Sequence, residues 1–167
     1  IRAALLPLLR LATAGARVRF LVENPDDWTT LAARGIDRAQ IRLIRGSGID
    51  LERYLVLAEP ASHPVVIGCA TRMLRIKGVS ELVAAFALVR SRGSTARLVL
   101  AGGADPENPA SIPESEIRAW AALEGVEWLG QVDDVREVWA RAHIAVLASR
   151  GGEGIPMSLM EAAACGR

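Results

Sequence analysis

Four short stretches carry residue types suited to a charged ligand rich in hydroxyl groups. In Ala70-Thr71-Arg72-Met73-Leu74-Arg75-Ile76-Lys77-Gly78, Arg72 and Lys77 stand just before an amphipathic segment. A helix starting there presents backbone N–H groups and the positive end of its dipole, so two cations beside it suit a diphosphate. Lys77 is the only lysine among the 20 basic residues. In the second stretch Gly102-Gly103 follows an apolar run, and the missing side chains let a ligand approach the backbone. The third is the turn Gly130-Gln131-Val132-Asp133-Asp134. The fourth, Arg150-Gly151-Gly152-Glu153-Gly154-Ile155-Pro156-Met157, is glycine-rich and then places proline where a helix takes its first turn. The N–H groups of Met157 and Ser158 are then aimed at the strand ends. Seven residues separate Glu153 from Glu161. A carboxylate accepts two hydrogen bonds from a vicinal diol, which makes sugar hydroxyls the natural partner of these two acids.

Each feature alone also has a plainer reading. Arg72 and Lys77 read as solvated charges, Gly102-Gly103 as a turn, Glu153 as an exposed loop acid and Glu161 as a capping or salt-bridged helix residue. Their positions join them, because each stretch follows a segment that reads as a buried strand. Val65-Val66-Ile67-Gly68-Cys69 is a short β-branched run of the kind found inside parallel sheets. Val79, Leu82, Val83, Phe86 and Val89 recur at helical spacing over 78–92, and Gly93 ends that helix. Further strands are expected over 97–101, 126–129 and 143–148, and helices over 114–123, 133–142 and 157–164. This alternation predicts an α/β, Rossmann-like parallel sheet with helices on both faces. Open sheets of that kind bind ligands beyond the carboxyl ends of their strands, where the four stretches lie.

Residues 1–63 are less regular. A helix over 3–14, a strand over 17–22, a helix to about 34 started by Asn24-Pro25-Asp26-Asp27, and a strand over 41–44 are expected. The segment from Arg45-Gly46-Ser47-Gly48-Ile49-Asp50 through Pro60, Ser62 and Pro64 resembles a connection between two units, with the boundary near 63. The apolar run near Leu5 is too short for a bilayer, which takes about 20 residues. Both ends read as cuts from a longer chain.

Composition narrows the function classes. With 51% hydrophobic and 23% charged residues and a net charge of +1, the chain is foldable and has no basic excess for nucleic acid or an anionic membrane. Four tryptophans, one tyrosine and two phenylalanines leave little for base-stacking platforms. Two cysteines, Cys69 and Cys165, in apolar surroundings suggest reduced, buried thiols and a cytoplasmic protein. A nicotinamide-dependent dehydrogenase is disfavoured, since neither Gly46-Ser47-Gly48 nor Gly102-Gly103 completes the Gly-x-Gly-x-x-Gly pattern.

Across 64–166 the ordered pieces resemble the donor-binding half of glycosyltransferase family 4, retaining enzymes of the GT-B fold. These pieces are Arg72 with Lys77-Gly78, Leu98-Val99-Leu100-Ala101-Gly102-Gly103, Trp128-Leu129-Gly130, 142–149, and Glu153-Gly154-Ile155-Pro156-Met157-Ser158-Leu159-Met160-Glu161-Ala162. One departure is Cys69-Ala70-Thr71 before the arginine, where a glycine is common in the family. Asn24 to Asp50 looks like the end of an acceptor-side domain in members that build lipid-linked glycans.

The resemblance implies a hexosyltransferase in which Arg72 and Lys77 neutralise the donor diphosphate and act, with Glu153, as the catalytic set. Glu161 would hold the ribose, the backbone near Val132 the base, and Glu153 the transferred sugar. Gly102, Gly103, Ile155, Met157 and Ser158 would complete the donor site. The donor would be a UDP-sugar, with a GDP-sugar as the alternative, and no metal or other cofactor would be required. The acceptor would be lipid-linked or a glycan, reached by the full-length protein through peripheral association with the cytoplasmic face of the membrane. On this reading 1–63 closes the acceptor-side domain, 64–167 is an incomplete donor domain, and the present chain alone does not turn over. A non-catalytic α/β interaction module, or a GT-B epimerase or phosphorylase, are the rival readings.

Overall fold

The computed structural model describes residues 13, 17–44, 46–61, 63–151 and 154–167; the expected helix over 3–14 lies outside them but for Thr13. The chain divides into two units. In the first, β1 (Phe20–Val22) and β2 (Ile41–Leu43) pair in parallel, with Phe20 opposite Ile41. Between them runs α1 (Pro25–Ala33). Its start follows from local chemistry: the Asn24 side chain accepts from the Asp27 N–H at 2.8 Å, and Pro25 takes a first-turn place where no N–H is needed. Val22, Ile36 and Ile41 form a small core with Trp28 and Leu31.

The second unit starts at Ile49, so residues 49–63, which read as connection in the sequence, pack with the later part of the chain. Its sheet holds β3 (Val66–Ala70), β4 (Arg97–Ala101), β5 (Val126–Trp128) and β6 (Ile144–Ala145), all parallel, in the order β5-β4-β3-β6. Alternate side chains face opposite ways along a strand. Cys69, Leu98 and Leu100 therefore share one core with α2 (Val79–Ser91) and α3 (Glu114–Ala121), through Val79, Val83, Phe86 and Ile117. Ala70, Val99 and Ala101 share the other with α4 (Arg136–Trp139) and α5 (Met157–Ala164). The expected α/β architecture with helices on both faces is thus present.

Several elements are shorter than expected, including the strand over 17–22, which is observed only at Phe20–Val22, and two in the second unit contract most. The strand over 143–148 keeps ladder geometry only to Ala145, with one more bond from the Val146 N–H to the Gly68 carbonyl. Beyond it the chain leaves the sheet and lies against the 3-10 turn Arg75–Lys77, where the Arg150 N–H reaches the Ile76 carbonyl at 3.0 Å. The helix over 133–142 contracts to α4, because Asp134 spends its side chain on Arg136 in a turn rather than opening a helix at 133. Both cysteines are free and buried, and burial pushes the Cys69 thiol up to about 12.

Candidate functional site

From β3 the chain steps outward through β4 and β5 and then returns to β6 on the other side of β3. The loops after β3 and β6 therefore leave in opposite directions, and such a switch point is where open α/β sheets form their ligand crevice. Two glycines let the loops close on one another. Gly78, with φ 68°, begins α2 where a Cβ would collide with the Ala148 carbonyl. Gly102, with φ 138°, ends β4 where a Cβ would collide with the Thr71 carbonyl oxygen. No other residue type takes such a backbone angle so close to a neighbouring carbonyl without strain.

The three strand ends are tied into one floor. Thr71 donates its N–H to the Ala101 carbonyl at 3.0 Å, and Gly102 donates to the Gly130 carbonyl at 2.7 Å. The Trp128 indole donates to the Gly102 carbonyl at 2.8 Å. Above this floor lies a hollow of about 200 Å³ lined by Ala70, Thr71, Arg72, Ala101, Gly102, Gln131, Val132, Val135, Ser158 and Glu161. Ser158 and Glu161 reach it from one side of α5, as residues three apart on a helix do. An exposed guanidinium on the β3 side and a half-buried carboxylate on α5 thus border the same space. That arrangement can meet phosphate charge with Arg72 and accept hydrogen bonds from hydroxyls with Glu161.

The carboxylate is held from behind. The Tyr54 hydroxyl donates to Glu161 Oε1 at 2.8 Å. Burial, then the bond to Glu161, push the Tyr54 phenol above its ordinary value of 10.0, so it stays a donor. Nearby, the Arg136 guanidinium holds the Asp134 carboxyl down at about 2 through side-chain bonds as short as 2.6 Å.

Of the residues singled out in the sequence, Arg72, Gly102, Val132, Ser158 and Glu161 converge on this hollow. Lys77 does not line it; it closes the 3-10 turn Arg75–Lys77. Gly103 donates its N–H to Gln131 Oε1 at 3.2 Å and borders a neighbouring hollow of about 560 Å³ with Trp128 and Gly130. Met157 is the exposed first residue of α5, after Pro156, which takes the cap position rather than the first turn itself. Ile155 belongs to the first unit, where its side chain faces Gly46. Glu153 lies outside the described residues. Among the described residues no cluster of three or more His, Cys, Asp or Glu side chains is placed to hold a metal ion, and no helix is long and apolar enough to cross a membrane.

Sequence reasoning missed Thr71, Gln131, Val135 and Tyr54. Gln131 stands inside a turn that attracted attention for its glycine and aspartates. Tyr54, the only tyrosine, sits in a segment that reads as connection, 107 positions from the carboxylate it meets. Its isolation in type was the one available signal.

The fold defines the class: parallel α/β units of the GT-B glycosyltransferase kind. The family profile of the glycosyl transferases group 1 matches residues 64–167, and the chain belongs to that family. A relative from Campylobacter jejuni, N,N'-diacetylbacillosaminyl-diphospho-undecaprenol alpha-1,3-N-acetylgalactosaminyltransferase, is 28% identical over 162 residues, covering 89% of this chain and 40% of that protein. Anabaena HepE, solved with UDP and glucose, superposes with a TM-score of 0.75 at 20% identity over 97% of this chain and 46% of its own. TarM superposes with a TM-score of 0.69 at 15% identity, covering 89% of this chain and 28% of that one. The chain therefore spans less than half the length of each of these proteins.

Proposed function

We propose that this chain supplies the nucleotide-sugar donor site of a retaining glycosyltransferase that takes a UDP-sugar and transfers the sugar to a lipid-linked or glycan acceptor. The observation that carries this reading is the shared hollow with Arg72 on one side and Glu161 on the other, at the carboxyl ends of β3, β4 and β5. UDP rather than GDP is favoured because HepE was solved with UDP and with UDP-glucose. The lipid-linked acceptor rests on the Campylobacter jejuni relative, whose name specifies a diphospho-undecaprenol substrate.

In the proposed reaction the bond between the sugar's anomeric carbon and the donor diphosphate breaks, the new bond forms to an acceptor hydroxyl with the anomeric configuration retained, and the hydroxyl's proton passes to the departing diphosphate. Negative charge grows on the departing diphosphate as positive charge grows on the sugar ring. Arg72 meets the first, and a fixed cation at developing charge lowers the barrier without reorganisation. Lys77 is assigned to the same phosphates and Glu153 to the transferred sugar. Glu161 accepts the ribose hydroxyls, the backbone at Val132 faces the base, and Ser158 meets the phosphates at the start of α5. No step is routed through a metal.

Calorimetric titration with UDP, GDP and NAD tests the assignment. UDP should bind, with affinity unchanged by a chelator and weakened roughly ten- to a hundredfold in Arg72→Ala, the range for a lost charge-assisted bond. Glu161→Ala should lose affinity for UDP as well. No binding of any nucleotide would favour a non-catalytic interaction module.

A further inference from the structure

The segment that opens the second unit, where only the lone tyrosine stands out in the sequence, supports the hollow's carboxylate from behind. Tyr54 is buried, and its ring lies in the core shared with Val138, Ala162 and Cys165. Its backbone is fixed from several directions. Asp50 accepts from the N–H groups of Glu52 and Arg53 through its side chain, at 2.9 and 3.2 Å, and from the Tyr54 N–H through its carbonyl at 3.0 Å. The Arg136 guanidinium donates to the Arg53 carbonyl at 3.0 Å, and the Arg53 guanidinium covers the Tyr54 ring at 5.5 Å. Three residues on, the Leu57 N–H reaches the Cys165 carbonyl at 3.1 Å, and Arg167 donates to the carbonyls of Leu57, Ala58 and Trp139.

We propose that Tyr54 is a positioning residue for the nucleotide: its hydroxyl, donating to Glu161 Oε1 at 2.8 Å, fixes the carboxylate so that its remaining lone pairs face the ribose diol. The inference rests on the donor-site reading above. An ionised carboxylate has about four lone-pair directions on its two oxygens. One on Oε1 is taken by the phenol, which stops rotation of the carboxylate plane and leaves Oε2 and the rest of Oε1 for two vicinal hydroxyls. A free glutamate must be immobilised on binding, and a side chain fixed beforehand avoids that entropy loss. The mount is rigid because Tyr54 is anchored to the same α5 that carries Glu161, through the Leu57–Cys165 bond and the core the ring shares.

The test is calorimetry with UDP and with 2′,3′-dideoxy-UDP, which keeps the base and phosphates and lacks the diol. The wild-type chain should prefer UDP. Tyr54→Phe, which removes one oxygen and keeps the ring, should weaken UDP about two- to tenfold, the range for losing one pre-ordered side chain, and leave dideoxy-UDP unchanged. In a Glu161→Ala background the same substitution should have no effect on either ligand, since the group it positions is gone. Equal weakening of both nucleotides would assign Tyr54 a general structural role and overturn the proposal, as would an unchanged preference for UDP. A wild-type chain that binds both nucleotides alike would remove the diol from Glu161 and defeat the positioning role while leaving a nucleotide site. Binding of neither would defeat the donor-site reading itself.

Discussion

On the α2 and α3 side of the sheet, the core is closed by large apolar side chains: Met73, Leu98, Leu100, Ile112 and Ile117 have no exposed surface, and Phe86 has 4%. On the α4 and α5 side, the fully buried Trp139 packs among small residues, with Ala142 so near Gly68 that a Cβ there would lie 2.9 Å from it. There the packing is completed by polar ties, including Tyr54 to Glu161, Arg136 to Asp134 and Arg53, and Arg167 to three carbonyls. Apolar burial is non-directional and holds an element in place without specifying an angle. Hydrogen bonds fix atoms, and on the face that carries Glu161 and Ser158 they act on the site's own carboxylate and its support. Both faces bury apolar side chains, and the second also aims the carboxylate of the hollow.

The largest expected effect falls on the apolar face. Phe86→Ala removes a fully packed ring and should cost about 3–5 kcal/mol, read as a lowered melting temperature. UDP affinity of the protein that remains folded should stay unchanged. A parallel loss of affinity would show that the two faces do not divide the work.

Gly78 stands where the loops after β3 and β6 meet, so its substitution should touch both functions. Gly78→Ala forces a side chain into a left-handed backbone angle against the Ala148 carbonyl and should destabilise by more than about 1 kcal/mol, with weakened UDP binding. Unaltered melting would mean that the loops separate at little cost.

The smallest effect lies with the polar ties. The Asp134 carboxyl, held at about 2 against an ordinary 3.8, favours the folded state fully above its ordinary value, and this contribution is lost as pH falls through about 2. Asp134→Asn should flatten that part of the acid dependence of the melting temperature and lower neutral-pH stability by the same small amount, small because the pair is solvent-screened. An acid profile identical to wild type would remove this tie from the account.

Elements set by local pattern were the legible ones. The strand over 97–101 and the helix over 157–164 match the observed β4 and α5 residue for residue, because a short apolar run ended by glycines and a helix start after proline are local signals. The strand expected to reach 148 failed for a non-local reason: after Val146 the backbone trades ladder bonds for contacts with Gly78 and Ile76. Likewise, Arg72, Gly102, Val132, Ser158 and Glu161 could be placed at one end of the sheet from the alternation of strands and helices, since a parallel sheet gathers its loops there. Tyr54 could not, because no periodicity links it to α5; its position depends on a connection folding back onto the helix. Lys77 was grouped with Arg72 by proximity in sequence, and the intervening 3-10 turn takes it off the lining of the hollow.

A crystal of this chain soaked with UDP decides whether the hollow is the nucleotide site. The diphosphate should lie at Arg72 and the start of α5, with both ribose hydroxyls within hydrogen-bonding distance of Glu161. UDP seated instead beside Trp128 in the neighbouring hollow, with Arg72 and Glu161 untouched, would contradict it.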